Sequence, residues 1–393
     1  MKSSKAFDII VYGATGFTGR LVAEYLASHY QNDRALTWAM AGRSRDKLIS
    51  VRDAIGAPAD TPLVVADASD PASLNAMLAQ TRSVVTTVGP YMLYGNELIA
   101  ACAASGTDYF DLCGEPPWMR RMIDAHQATA ARSGARIIFS CGYDSLPFEL
   151  GVFFCQETAK RVFGAPVARV KGRVRAMKGT FSGGTAASMK ALFSAAANDP
   201  SLVPLMRSPF ALTPGFEGPK QPLGNKPVFD EDLQSWTTPF VMANINTRNV
   251  HRSNMLMGFP YGRDFVYDEM QVTGPGEEGE ARAKRMMAAN NKMGGTEVPK
   301  PGEGPSKEER ETGYYDLLFV GLAPDGRQVR VSVKGDRDPG YGSTSKMIAE
   351  CALCLLRDTP ELAGGIWTPG AAMGDRLIKR LVDHAGITFT VES

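Results

Sequence analysis

The chain has 393 residues, enough for one large or two ordinary domains, and its 44% hydrophobic share can fill a sizeable core. Its 43 Lys and Arg against 42 Asp and Glu leave +1, so no global field draws it to nucleic acid or to anionic lipid. Six scattered cysteines follow no secretory framework and no histidine joins them at zinc spacing. The first residues carry no apolar signal region, and no run of about 18 apolar residues is present to span a bilayer. We expect a reduced, cytosolic setting, no transmembrane segment and no metal. Cys351 and Cys354 form a CxxC inside a helical apolar pattern, which reads as core packing.

Phe7 to Arg20, FDIIVYGATGFTGR, is the strongest local signal. Ile9, Ile10 and Val11 read as a buried strand. Gly13, Gly16 and Gly19 follow, and then a helix begins with Leu21, Val22 and Leu26 on one face. Strand, glycine turn and helix are the context of a dinucleotide phosphate loop. Gly13 permits the tight turn, Gly16 the approach of backbone to a pyrophosphate, and Gly19 the packing of helix on strand. The helix N-terminus then offers N–H groups to the phosphates. The spacing is GxxGxxG rather than GxGxxG, and a purely structural turn is the competing reading.

Leu36 to Ala41 is the second strand, and Gly42-Arg43-Ser44-Arg45 follows it. An acidic residue at this tip would bind the ribose hydroxyl of NAD, whereas arginine accommodates the 2′-phosphate of NADP. Arg43 therefore favours NADP(H), unless it belongs to a solvated loop. Leu63 to Ala66 ends in Asp67, which either meets the adenine or caps the helix from Pro71. Val84 to Val88 leads into Gly89-Pro90-Tyr91. Gly89 and Pro90 suit a wall against the nicotinamide ribose, with Tyr91 and Tyr94 near the ring, or else form a plain strand-to-helix turn.

A helix over Tyr94 to Ser105, a strand over Thr107 to Glu115, a helix over Trp118 to Ser133 and a strand over Arg136 to Ser140 complete a doubly wound parallel sheet. The turn Cys141-Gly142-Tyr143-Asp144-Ser145 follows at a strand end.

Beyond about residue 160 the pattern changes. Val167 to Met177 alternates, with Lys171, Arg173 and Arg175 on a face we expect to be solvated. Phe181-Ser182-Gly183-Gly184-Thr185 is a glycine turn opening a helix to about Ala197. Residues 198–235 read as a surface excursion. Phe240 to Ile245, Asp264 to Val272, Tyr315 to Leu322 and Arg327 to Lys334 are expected strands, and Thr273 to Lys307 an open, polar stretch. Helices over Ser343 to Leu356 and Ala371 to His384 follow.

The blocks FDIIVYGATGFTGR, AGRS, VADAS, VVTTVGPYMLYG, GTDYFDLCGE, CGYDSLPFELG, FSGGTAASM, NTRNVHRSN and WTPGAAMGDRL, in this order over about residues 7–380, resemble the saccharopine dehydrogenase-like oxidoreductases. They are nearest to the trans-acting enoyl reductases of polyketide-lipid and glycolipid biosynthesis. The resemblance implies an α/β fold: a Rossmann NADP-binding domain over 1–160 with a doubly wound parallel sheet. It further implies an α+β domain with a mixed or antiparallel sheet over 161–342, for substrate and dimer contacts. C-terminal helices over 343–393 would pack back on the Rossmann side. It implies NADP(H), with Gly13, Ala14, Thr15, Gly16, Phe17, Thr18 and Gly19 as phosphate loop, Arg43 and Ser44 at the ribose phosphate, Asp67 at the adenine, and Val88, Gly89, Pro90 and Tyr91 beside the nicotinamide.

For such chemistry Tyr143 and Asp144 are the preferred donors, with Tyr91 a further catalytic candidate and His251 either a donor or structural. The expected reaction reduces an enoyl or related acyl or lipid-linked substrate. The alternatives are a saccharopine-type imine dehydrogenase, which needs a cation cluster for which Arg173, Arg175 and Arg248 are candidates, and an NADP-bound scaffold for a lipid-biosynthetic protein partner docking on 212–235 or 273–307. Some relatives carry a membrane-seeking segment near 272–300. The polar GPGEEGEARAKRMMAANNKMGG argues against that attachment here, although a peripheral position at the membrane is kept beside the cytoplasmic one.

Overall fold

The computed structural model describes residues 5–180, 183–290 and 302–392. In chain order the strands are β1 (Phe7–Tyr12), β2 (Trp38–Gly42), β3 (Leu63–Val65), β4 (Thr81–Thr86), β5 (Asp108–Phe110), β6 (Arg136–Ile138), β7 (Arg169–Lys178), β8 (Val228–Asp230), β9 (Ser235–Pro239), β10 (Val266–Gly274), β11 (Tyr314–Leu322), β12 (Gln328–Gly335), β13 (Gly365–Trp367) and β14 (Ile387–Glu392). They form two seven-stranded sheets.

The first sheet runs β13-β6-β5-β4-β1-β2-β3 and every neighbouring pair is parallel. Its centre is apolar on both faces, as a sheet covered by crossover helices requires. Ile10 and Tyr12 pack with Leu74, Leu98, Ile99, Trp118 and Ile123 on one side. Ile9 and Val11 face Val22, Leu26, Met347 and Cys351 on the other. The C-terminal helix Thr344–Arg357 thus covers the sheet beside the first helix, Phe17–His29. All six cysteines are free and buried, Cys351 and Cys354 among them.

The second sheet runs β14-β12-β11-β7-β10-β9-β8, with β7 and β10 parallel and the other pairs antiparallel. Helix Leu146–Phe163 lies against it so closely that a Cβ on Gly151 would fall 2.2 Å from the Phe319 ring.

Several expectations are corrected. The basic row of β7 is not a solvated face: Arg173 pairs with Asp230 at 2.8 Å and Asp268 at 3.0 Å, Lys171 with Asp230 and Asp232, and Arg175 with Asp316 and Glu392. Phe240 to Ile245 is no strand. The β-branched run ends at Pro239, and a turn leads into helix Ala243–Leu256. The polar stretch from Thr273 contains helix Gly276–Asn290, seated on β9 through the Thr238 hydroxyl and the Ala283 carbonyl at 3.0 Å. The excursion 198–235 holds helix Leu202–Arg207, β8 and a buried Leu212. The short β13 and the half-exposed edge strand β14 were not expected, because three residues or one solvated edge give little periodicity. Phe181, Ser182 and residues 291–301 lie outside the described residues.

Candidate active site

β1 delivers the chain to Gly13 at φ +89°, where a Cβ would lie 2.8 Å from both Thr87 Oγ1 and Val88 Cγ2. A Cβ on Gly19 would lie 2.2 Å from the Gly13 carbonyl oxygen. Only glycine lets the first helix approach β1 this closely. Gly16 caps that helix with no side-chain bond, and its first turn carries no acidic residue. The loop through Ala14 and Thr15 therefore leads to an uncapped helix N-terminus, which suits the pyrophosphate of a dinucleotide. Thr18 faces the adjoining cleft. Phe17 packs edge-on to Tyr341 at 5.2 Å, with the Arg310 guanidinium 5.7 Å from its ring.

At the tip of β2 Arg43 is exposed, and its charge reaches Asp67 and Tyr12. Tyr12 is pushed up to about 12, chiefly by burial. Asp67 does not cap the next helix. Its carboxylate accepts from Ser69 N and Oγ at 2.9 and 2.7 Å, holding it below the usual range, and Asp70 caps Pro71–Leu78 instead. Ser44 caps helix Arg45–Ala54 through a long bond from Lys47 N at 3.4 Å. Arg43 and Asp67 thus stand near each other at the ends of β2 and β3, and Ser44 serves the local backbone.

Thr87, Gly89 and Pro90 line the cleft at the end of β4, whereas Val88 packs on the core behind them. Tyr91 borders the cleft, but its hydroxyl donates to the Thr86 carbonyl at 3.2 Å and accepts from Leu112 N at 3.0 Å. Those two bonds make Tyr91 a brace rather than a free proton donor, and this corrects its place among the catalytic candidates. Glu115, which the sequence reading passed over, accepts from Tyr91 N at 2.9 Å and Met92 N at 2.8 Å and holds the wall in place. It stands at the end of GTDYFDLCGE, and that position at a strand end was the available signal.

Tyr143 and Asp144 line the inner cleft, of about 210 Å³, together with Thr18, Gly89 and Glu115. Tyr143 is buried and Asp144 half-buried, and among the described residues Tyr143 Oη and Asp144 Oδ1 have no hydrogen-bond partner. Burial lifts Asp144 to about 7 and raises the Tyr143 phenol well above its ordinary value. The turn carrying them is held from both sides. Thr344 Oγ1 accepts from Tyr143 N at 3.0 Å, and Asn249 Nδ2 donates to Ser145 Oγ at 2.8 Å. Asn249 belongs to a helix whose polar residues point inward, with Asn246, Arg248, His251, Arg252 and Ser253 also buried. Polarity all round such a helix was legible as an anomaly in NTRNVHRSN. His251 lies against Phe210 at 4.6 Å and Phe265, is pushed down to about 3 by burial, and lines neither part of the cleft, so its place is structural.

The inner cleft continues past Thr18, Thr87 and Gly89 into an outer groove of about 920 Å³. Met92, Leu93 and Tyr94 form one side of it, and Ala187, Ala191 and Ala195 of helix Gly183–Asn198 form the other. Arg121 and Lys190 border it.

A doubly wound sheet, a glycine-shaped phosphate loop and a cleft at the strand ends lined by Tyr143 and Asp144 define a dinucleotide-dependent oxidoreductase. Residues 9–138 match the family model described as the saccharopine dehydrogenase NADP binding domain. A Mycobacterium tuberculosis protein provisionally named a trans-acting enoyl reductase is 41% identical over 98% of this chain and 97% of its own length. The trans-acting enoyl reductase of Mycobacterium bovis is 37% identical over 96% of each chain. The apo saccharopine dehydrogenase (L-Glu forming) of Saccharomyces cerevisiae shares the fold, with a TM-score of 0.57 at 11% identity over 98% of this chain and 100% of that one. This chain belongs to the trans-acting enoyl reductase family and is an NADP(H)-dependent oxidoreductase of saccharopine dehydrogenase-like fold. No helix among the described residues is long and apolar enough to cross a membrane.

Proposed function

We propose that the chain reduces the carbon–carbon double bond of an enoyl thioester whose acyl chain lies in the outer groove. The observation that carries this is the unpartnered Tyr143–Asp144 pair, at the closed end of a cleft that opens between apolar walls. Gly13 to Gly19 would hold the pyrophosphate, Arg43 the 2′-phosphate, and Gly89 with Pro90 the nicotinamide face. When bound, NADPH supplies the hydride that reaches the β-carbon of the substrate. The Tyr143 hydroxyl donates a hydrogen bond to the thioester oxygen as negative charge develops there. Protonated Asp144 then delivers a proton to the α-carbon.

The imine-dehydrogenase alternative is the weaker reading. Arg173 and Arg175 are spent on carboxylates, and Arg248 donates to Met206 and Asn244. None of the three lines the cleft or the groove. The relatives' name carries the further reading that the acyl substrate arrives on a separate protein. In this reading residues 1–160 hold the cofactor, residues 161–342 shape the acyl side and a homodimer contact, and the C-terminal helices brace the Tyr143 turn. The test is NADPH consumption with trans-decenoyl-coenzyme A, with mass spectrometry of the product. Gain of two hydrogens is expected; NADPH binding without turnover on any enoyl thioester would move the scaffold reading forward.

A further inference from the structure

The connection between β10 and β11 comes back to the phosphate loop. Gly304 rests on Phe17 so closely that a Cβ there would lie 2.6 Å from the ring. Gly302 borders the outer groove beside Gly16 and Phe17. The buried Pro305 and a capping box of Ser306 and Glu309 then start the short helix Lys307–Glu311. The segment is anchored from behind. Asp338 N donates to the Arg310 carbonyl at 3.0 Å, and a Cβ on Gly313 would lie 2.4 Å from Asp338 Cα. The Asp338 carboxyl in turn accepts from Tyr341 N at 3.0 Å and Gly342 N at 2.7 Å, and the Tyr341 ring meets Phe17.

Phe17 is thereby the meeting point of two cations. The Arg20 guanidinium, one turn further along the first helix, lies 5.6 Å from the centre of its ring. The Arg310 guanidinium, from the β10–β11 connection, lies 5.7 Å from the same centre. Both side chains are half-buried. Among the described residues no carboxylate is bonded to either guanidinium, and Arg310 donates to the Pro305 carbonyl at 2.8 Å. An aromatic face attracts a guanidinium but does not neutralise it, and two like charges gathered on one ring repel each other. Phe17 is also the first residue of a helix whose N-terminus has no capping side chain and no acidic residue in its first turn. Unused N–H donors, the positive end of a helix and two uncompensated guanidiniums therefore converge on one point.

We propose that Arg310 and Arg20 are the counter-charges of the NADP(H) pyrophosphate, so that the cofactor is held between the phosphate loop and the 302–311 segment. The inference needs the cofactor that the family model names and is independent of what accepts the hydride. A pyrophosphate carries two negative charges, and a guanidinium meets phosphate oxygens through paired N–H donors. The loop itself, Gly13 to Gly19, supplies backbone N–H groups and no charged side chain. Arg20 and Arg310 supply the charge, one from each side of Phe17. Their task differs from that of Arg43. Arg43 would distinguish the two nucleotides at the 2′-phosphate, whereas Arg310 and Arg20 act on the part that NADPH and NADH share.

The test is titration calorimetry of the full chain with NADPH and NADH, at low and at physiological salt. Arg310→Gln removes the charge and keeps an N–H donor for the Pro305 carbonyl. Both nucleotides should bind roughly tenfold more weakly, as for loss of one charge-assisted contact. The loss should shrink as salt rises, because screening already weakens that contact in the wild type. Affinity for 2′-AMP, which carries the 2′-phosphate and no pyrophosphate, should stay within about twofold of wild type, since Arg310 makes no contact there in this arrangement. Unchanged affinity for both dinucleotides overturns the proposal. A loss confined to NADPH and 2′-AMP overturns it too, because Arg310 would then read the 2′-phosphate. Should Arg310→Gln not fold, Arg20→Gln decides by the same titrations, with the same losses expected and the same outcomes overturning the assignment. Failure of the wild type to reduce an enoyl thioester would overturn the enoyl reading and leave this one standing.

Discussion

Thr344 Oγ1 accepts a hydrogen bond from the backbone N–H of Tyr143 at 3.0 Å, across 201 residues of sequence, and itself donates to the Pro339 carbonyl at 2.8 Å. The C-terminal helix therefore sets the position of the turn that carries the proposed donors. Gly142 makes the approach possible, since a Cβ there would lie 2.8 Å from Leu112 Cδ2 and 2.9 Å from Thr344 Cγ2. Gly142→Ala should displace the turn by a few tenths of an ångström. Turnover should fall by roughly tenfold or more, in keeping with the cost of small misplacements in reacting groups, while NADPH affinity is unchanged. Parallel kcat and calorimetric Kd measurements check this; a matching loss of NADPH affinity would contradict it.

Arg43 stands exposed at the tip of β2 with Asp67 nearby and no carboxylate bonded to it among the described residues. Arg43→Ala should weaken NADPH by about 1–3 kcal/mol, the range for a hydrogen bond to a charged group, and leave NADH within about twofold. Titration calorimetry with the two nucleotides measures the difference. Equal weakening of both would assign Arg43 to general phosphate attraction instead.

The tyrosines of the cleft separate by their hydrogen bonds. Tyr91→Phe deprives the Leu112 N–H of its acceptor and should cost about 1–3 kcal/mol of stability while most of kcat survives. Tyr143→Phe loses no internal hydrogen bond among the described residues, where its hydroxyl has none. Its stability should hold, and its kcat should fall by roughly 10²–10³, as for removal of an oxyanion donor. Denaturant melts beside kcat give both quantities, and the reverse pattern would exchange the roles of the two residues.

Stability itself should depend on pH. Burial raises Asp111, Asp144 and Glu149 to about 7 and Glu269 to about 8. Unfolded carboxyls titrate near about 4. Between these values the native state keeps protons that the unfolded chain has released, so this contribution is fully present below about pH 4 and is lost as pH rises through about 7–8. Asp33 and Asp230, held below the usual range by bonded or charged partners, work the other way at the acid end. Tm should therefore decline from about pH 5.5 to about pH 8.5, and Asp144→Asn should flatten that slope. A Tm that climbs across this interval would show that these carboxyls are charged in the native state.

The sequence by itself determined the cofactor class and the sheet that would carry it. Gly13 and Gly19 answer to short-range geometry, at the end of a strand whose apolar run could be read directly, so their spacing carried the information, and Arg43, Asp67, Gly89 and Pro90 were legible as candidates at the neighbouring strand ends. Tyr143 and Asp144 were also legible, as polar residues in a turn at a strand end. What only the tertiary structure decided is which polar groups are already spent. Tyr91 looked like Tyr143 until Thr86 and Leu112 were found on its hydroxyl, and Arg173 looked like a solvated residue until Asp230 and Asp268 closed on it. Helix Ala243–Leu256 was hidden because its polar residues face inward, against the rule that ties apolar periodicity to burial. Glu269 has room beside Gly172 only because β7 and β10 pair in that register, across 97 residues of sequence. Hydrogen-bond partners and shared cavities join residues far apart along the chain, and spacing along one segment has no means of recording them.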